Sequence, residues 1–147
     1  MGVLNRALLA AAALQLVATG GAFAQNVSGA YVGIVKATHW PATKISLNVK
    51  QGGPLFPPGL VTAGYATVVG LRGTCSGYLF GNVAHLTCTN TVLVNGCSGQ
   101  YYGQYTFSPG GMLWSFNGSD CRGFEEGSGT ALKITQRTRA RRHRYAK

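Results

Sequence analysis

Acidic residues are nearly missing from this chain. Three Asp and Glu stand against thirteen Lys and Arg in 147 residues, for a formal net charge of +10. The three are Asp120, Glu125 and Glu126, all within seven residues and close to Arg122. Paired carboxylates can do acid and base work when their surroundings separate their pKa values. Adjacent Glu125 and Glu126 would point to opposite faces of a strand, so the cluster reads as a turn with solvated acids, one of them paired to Arg122.

Metal-ligand spacing is also absent. The four cysteines (75, 88, 97 and 121) contain no C-x-x-C pair, and His39, His85 and His143 are scattered. No zinc site, other metal site or cofactor is therefore expected. Phosphate loops and dinucleotide fingerprints are missing. No carboxylate partner for His39 or His85 can be placed from sequence, so a nucleophilic triad is unsupported and the chain reads as a non-enzyme.

Long apolar runs are missing as well. The longest extends from Ala7 to Ala18, about twelve residues, whereas a membrane-spanning helix needs roughly 20. It follows Arg6 and precedes the small-x-small site Ala22-Phe23-Ala24, which is the pattern of an export signal. Residues 1–24 are thus expected to be a signal peptide cleaved after Ala24, and the mature product to be secreted or periplasmic and not membrane-spanning. An even number of cysteines in an exported chain implies disulfides.

What is abundant is Gly, Thr, Ser, Val and Tyr, with turn signals at short intervals, a β composition. The clearest strand is 43–50, where Ile45, Leu47 and Val49 alternate with Lys44, Ser46, Asn48 and Lys50. Further strands are expected near 28–38, 61–72, 73–80, 83–94, 97–107, 112–118 and 127–135. Eight strands joined by short turns favour an up-and-down barrel over residues 25–136, with the first and last strands closing it; a two-sheet sandwich is the alternative.

Turn geometry pairs the cysteines. A two-residue hairpin at Gly81-Asn82 sets Phe80 against Val83 and, counting outward, Cys75 against Cys88 in a non-hydrogen-bonded pair with Cα atoms about 4.5 Å apart, close enough for a disulfide. The same register puts Leu79, Ala84 and Leu86 on the cysteine face and sets His85 opposite Tyr78 on the other. A second two-residue turn at Asn95-Gly96 would place Cys88 opposite Gly103 and hold Cys97 some 20 Å from Cys88. Cys97 is then left to Cys121, across the hairpin at Ser108-Pro109-Gly110-Gly111. Each bridge is expected to contribute roughly 3 to 3.5 kcal/mol by loop closure.

A motif repeats. Ser28-Gly29-Ala30-Tyr31-Val32-Gly33 and Ser98-Gly99-Gln100-Tyr101-Tyr102-Gly103 share S-G-x-Y-x-G. Gly, Tyr and Gly fall on one strand face, where the ring has bare backbone to spread over, or a neighbouring strand has space to bend. On these residues the chain resembles small exported bacterial proteins of unknown function built from Gly- and Tyr-punctuated β-meanders and, more distantly, the avidin and lipocalin barrels. The resemblance implies the architecture alone, because no ligand-contact motif of those barrels matches residue by residue.

Two features point toward binding. Arg137, Arg139, Arg141, Arg142, Arg144 and Lys147 crowd residues 137–147, a run too charged to bury and therefore expected to be disordered. It reads as a tether to anionic envelope components or another polyanion, or else as a solvated tail. Leu55 and Phe56 sit in the Pro- and Gly-rich connection 51–60, where they could grip an apolar ligand together with Trp40 or simply plug the core. The sequence thus reads as an exported, non-enzymatic binding module. An inhibitor of an extracellular enzyme, with a protein partner, is the alternative, and a small hydrolase the third. Two glycosylation sequons, at Asn26 and Asn117, would matter only in a eukaryotic secretory route.

Overall fold

The computed structural model describes residues 26–52, 59–92, 96 and 98–135. The expected leader, the basic tail with its six candidate residues, Cys97, Leu55 and Phe56 lie outside them. The eight strands are β1 (Gly29–Ala37), β2 (Trp40–Gly52), β3 (Gly59–Thr67), β4 (Arg72–Phe80), β5 (Val83–Val92), β6 (Gly99–Ser108), β7 (Gly111–Asp120) and β8 (Gly123–Lys133). Each pairs antiparallel with the next, and β1 pairs with β8, so the sheet closes into a barrel and leaves no edge. The up-and-down barrel, and not the sandwich, is the architecture.

Period-two alternation drives the closure. Ile45, Leu47 and Val49 on β2 are buried, while Lys44, Ser46, Asn48 and Lys50 between them are exposed. One end of the barrel, the base, is sealed. Val27 and Tyr31 are each 1 % exposed there, packed with Val49, Val61, Leu79, Ala84, Phe107 and Met112. The Tyr31 hydroxyl donates to the Val27 carbonyl at 2.7 Å and its ring meets Phe107 edge-on. The N-terminal approach to β1 thus serves as the plug.

The hairpin at Gly81-Asn82 forms as the sequence predicts. Gly81 takes φ +60°, Cys75 pairs with Cys88, and Tyr78 pairs with His85. The Cys75–Cys88 disulfide is closed, with Cα atoms 3.9 Å apart, and Leu79, Ala84 and Leu86 share its buried face. It is the one bridge seen among the described residues, where two were expected. Cys121 sits in the β7–β8 turn and is not a free thiol.

Two expectations are corrected. Strands predicted at 61–72 and 73–80 are separated by a turn over residues 68–71, with Gly70 at φ +91° and Val68 and Val69 exposed. β-branched residues there look like strand, but the Thr67 N–H donates to the Leu71 carbonyl at 2.9 Å and closes a tight loop instead. Across β5 and β6, Cys88 faces Tyr101 and Gly103 faces Leu86, a register two residues away from the one that a turn at Asn95-Gly96 imposes. A shift of two leaves every side chain on its own face, so alternation could not detect it.

The repeated motif uses its glycines in two ways. At Gly33 any side chain would overlap the Thr130 carbonyl oxygen, so the missing Cβ lets β8 approach β1 at the closing seam. At Gly99 the space is filled by the Tyr101 ring. Rings lie over glycine elsewhere on the inner wall: Tyr65 over Gly73, Trp114 over Gly129 and Phe116 over Gly127, each a cross-strand pair. Glycines thus give the barrel room for large rings that Cβ-bearing positions would deny.

Candidate functional site

The end opposite the base is the mouth, bounded by the β1–β2, β3–β4, β5–β6 and β7–β8 connections. Below it lies a cavity of about 90 Å³. Its wall includes six aromatic side chains, Trp40, Tyr65, Tyr101, Tyr105, Trp114 and Phe116. Tyr105 stacks on Trp114 with ring centroids 5.9 Å apart, and Tyr101 meets Phe116 edge-on at 5.8 Å. Those contacts fix four rings against one another.

Glu125 also lines the cavity and is 0 % exposed. This corrects the expectation that all three acids are solvated in a turn. Gly127, Gly129 and Ala131 follow Glu125 at spacing two on β8, so the alternation that buries Ala131 carries Glu125 inward and leaves Glu126 exposed. Placing the start of the strand at 127 hid this. With β8 running from Gly123, the signal is legible.

The carboxylate of Glu125 is held from the β1–β2 turn. The His39 backbone N–H donates to Oε2 at 3.2 Å, and the ring Nδ1 lies 2.8 Å from Oε1. Beside this pair Thr38 is stitched to Glu126: its N–H and Oγ1 donate to the Glu126 carbonyl at 3.0 and 3.1 Å, and Oγ1 accepts from the Glu126 N–H at 3.3 Å. His39 therefore does have a carboxylate partner, which the closure of β1 against β8 supplies from 86 residues away.

From Glu125 a polar chain runs around the mouth. Arg122 Nη2 stands 3.7 Å from Glu125 Oε1 and bonds the Asp120 carboxylate, while the Arg122 backbone N–H donates to Asp120 Oδ1 at 2.8 Å. The pairing of one acid with Arg122 is as expected, and the acid is Asp120. Tyr101 donates to Asp120 Oδ2 at 3.2 Å, Asn90 Nδ2 donates to the Tyr101 oxygen at 3.5 Å, and the Tyr65 hydroxyl donates to Asn90 Oδ1. No buried side-chain polar atom among the described residues is left without a partner. A satisfied network of this kind holds its members in one arrangement.

Burial pushes the Asp120 carboxyl up, but the Arg122 guanidinium and backbone N–H, with the Tyr101 hydroxyl, outweigh burial and hold it below the usual carboxylate range. Burial raises the Tyr105 phenol to about 12 and also raises Tyr65, which the neighbouring phenols of Tyr101 and Tyr105 push further.

Of the residues singled out in the sequence as ligand contacts, Trp40 is at the mouth, with the Arg122 guanidinium 4.0 Å over its ring. Leu55 and Phe56 are outside the described residues, and β2 separates Trp40 from their connection by its full length of 13 residues, roughly 40 Å of extended chain. Trp40 and Gly52 therefore lie at opposite ends of that strand. The mouth residues His39, Tyr65, Asn90, Tyr101, Asp120 and Arg122 were not anticipated as a group, because only the barrel's register brings them together. Among the described residues no group of three His, Cys, Asp or Glu is placed to hold a metal ion, and no helix is long and apolar enough to cross a membrane. No model of a known protein family matches the chain, and no curated protein matches it.

Proposed function

We propose that this protein is an exported, non-enzymatic binding module that takes a small ligand into the mouth of its barrel. The observation that carries the reading is the cavity itself: a sealed apolar base, a wall of aromatic rings and one fully buried carboxylate at the open end. Mostly apolar concave sites with a few fixed polar groups are the usual form of small-molecule sites. The volume suits a compact group, being smaller than the ~150 Å³ apolar cavity that takes up benzene. The outward positions support action in water, since Lys44, Ser46, Asn48, Lys50, Gln100, Gln104 and Asn117 interrupt the exposed apolar side chains of Val32, Ile34, Leu113 and Leu132 where a membrane barrel carries a continuous apolar belt.

The sequence supplies the rest of the proposal. Residues 1–24 would direct export, and the basic residues from Arg137 to Lys147 would hold the barrel near anionic envelope material or another polyanion. A second bridge between Cys97 and Cys121 completes the picture. Gly99 pairs with Asp120 at the end of the β6–β7 ladder, which brings the chain within two residues of each cysteine.

Both tryptophans of the chain line the cavity, so intrinsic fluorescence reports its occupancy. Titration with small neutral alcohols is expected to give a saturable change that Ala37→Phe, which narrows the mouth, abolishes. A response that never saturates, or that Ala37→Phe leaves intact, would sink the proposal. For the tail, removal of residues 137–147 is expected to end retention on heparin; undiminished retention refutes the tether.

A further inference from the structure

We infer that the cavity selects a small organic cation, a compact alkylated amine or quaternary ammonium group. The inference rests on the reading of the barrel as a ligand cup and names the class of ligand. Among the described residues lining the cavity, Glu125 is the single acidic or basic side chain, and every Lys, Arg and His is elsewhere. A chain with thirteen Lys and Arg has put two of its three acids, Asp120 and Glu125, at this mouth, each with its side chain 1 % exposed. Arg122 bonds Asp120 directly and stands 3.7 Å from Glu125, whose nearer partner is His39 at 2.8 Å. Glu125 is thus the one acidic group of the cavity lining, and the groups that hold it, His39 Nδ1 at 2.8 Å and Arg122 Nη2 at 3.7 Å, reach it from the rim and are not part of that lining.

Electron-rich rings complete the chemistry. A cation is drawn to the face of Trp or Tyr within about 6 Å, more strongly where water is excluded, and quaternary ammonium groups are typically held in cages of such rings. Six aromatic residues line this cavity, and one of them already carries a cation supplied by the chain, the Arg122 guanidinium 4.0 Å over Trp40. An anionic ligand would meet a lining that carries a carboxylate and no Lys, Arg or His of its own to bond it. A bare metal ion would find, among the described residues, no group of three His, Cys, Asp or Glu placed to hold it. An ammonium group with small alkyl substituents satisfies both halves of the wall: its charge lies toward Glu125 and its methyl groups lie against the rings. The size of the cavity limits that group to a compact head, with any longer substituent leaving through the mouth.

Three probes of similar shape separate charge from shape: tetramethylammonium, neutral tert-butanol and anionic pivalate, titrated at one ionic strength with tryptophan fluorescence and calorimetry as readouts. Tetramethylammonium is expected to bind at least tenfold more tightly than tert-butanol, and pivalate not measurably. In Glu125→Gln that preference is expected to fall to within about threefold. Trp40→Leu, at the half-exposed mouth, leaves Trp114 as reporter and is expected to weaken tetramethylammonium more than tert-butanol, so the inference stays testable if Glu125→Gln does not fold. Equal binding of tetramethylammonium and tert-butanol, or tighter binding of pivalate, overturns the cation inference and leaves the ligand cup standing. Failure of all three probes overturns both.

Discussion

His39 and Glu125 join the two ends of the barrel's strand order: the ring Nδ1 of His39, in the β1–β2 turn, lies 2.8 Å from Oε1 of Glu125 on β8. The contact fastens the seam where the last strand returns to the first, and it fixes the carboxylate that lines the cavity. Removing the acceptor leaves the His39 N–H groups without their partner. Glu125→Ala is therefore expected to cost about 1–3 kcal/mol in denaturant unfolding. In a cycle with His39→Ala the two losses should be coupled by at least about 0.5 kcal/mol. Strictly additive losses would mean that the pair does not fasten the seam.

The Cys75–Cys88 bridge joins residues 13 apart on the β4–β5 hairpin, with both residues buried in the wall. Closing a loop of that length removes about 3 kcal/mol of chain entropy from the unfolded state. The Cys75→Ala, Cys88→Ala double variant should accordingly lose on the order of 3 kcal/mol in urea unfolding, with the barrel still formed in most molecules. A loss below about 1 kcal/mol would show that the unfolded chain is already constrained near this hairpin.

The wall of this barrel was more legible in the sequence than its mouth, for a physical reason. Alternation in Ile45, Leu47 and Val49 and the short turn at Gly81-Asn82 are local signals, and they were enough to place one strand, one disulfide and the facing of Tyr78 and His85. The site is assembled by non-local pairing. Tyr65 reaches Asn90 across β4, and His39 reaches Glu125 only because β1 and β8 close the barrel. No spacing in the chain encodes those meetings. What local pattern could have supplied was Glu125 itself, two residues before Gly127 on the same face as Ala131. Reading the acid cluster as a turn hid it.

Glycines in the strands should tolerate substitution according to what stands above them. At Gly33 an added Cβ would overlap the Thr130 carbonyl of the neighbouring strand, whereas at Gly64 nothing lies within 4 Å. Backbone held in a ladder cannot move aside cheaply. Gly33→Ala is expected to destabilise by about 2–4 kcal/mol by opening the β1–β8 seam, in the range of strong overpacking. Gly64→Ala should change stability by less than about 1 kcal/mol and in the stabilising direction, through the unfolded chain. Equal urea midpoints for the two variants would contradict the close approach of β8 to β1.

Stability should fall at both ends of the pH scale, and a different layer of the mouth governs each limb. Asp120 has a lowered pKa in the fold, so its contribution is complete above the unfolded carboxyl value of about 4 and is lost as pH drops through the folded value. Asp120→Asn should flatten that acid limb. On the alkaline side Tyr105 is raised from 10.0 to about 12 by burial. A phenol whose folded pKa lies above its unfolded one stabilises fully below about 10 and loses that contribution as pH rises toward 12. Tyr105→Phe keeps the ring stacked on Trp114 but removes the ionisable group, so it should make the alkaline limb shallower while leaving the acid limb unchanged. Urea midpoints from about pH 2 to 12 test both assignments, and a Tyr105→Phe curve that still falls as steeply above pH 10 would remove Tyr105 from the account.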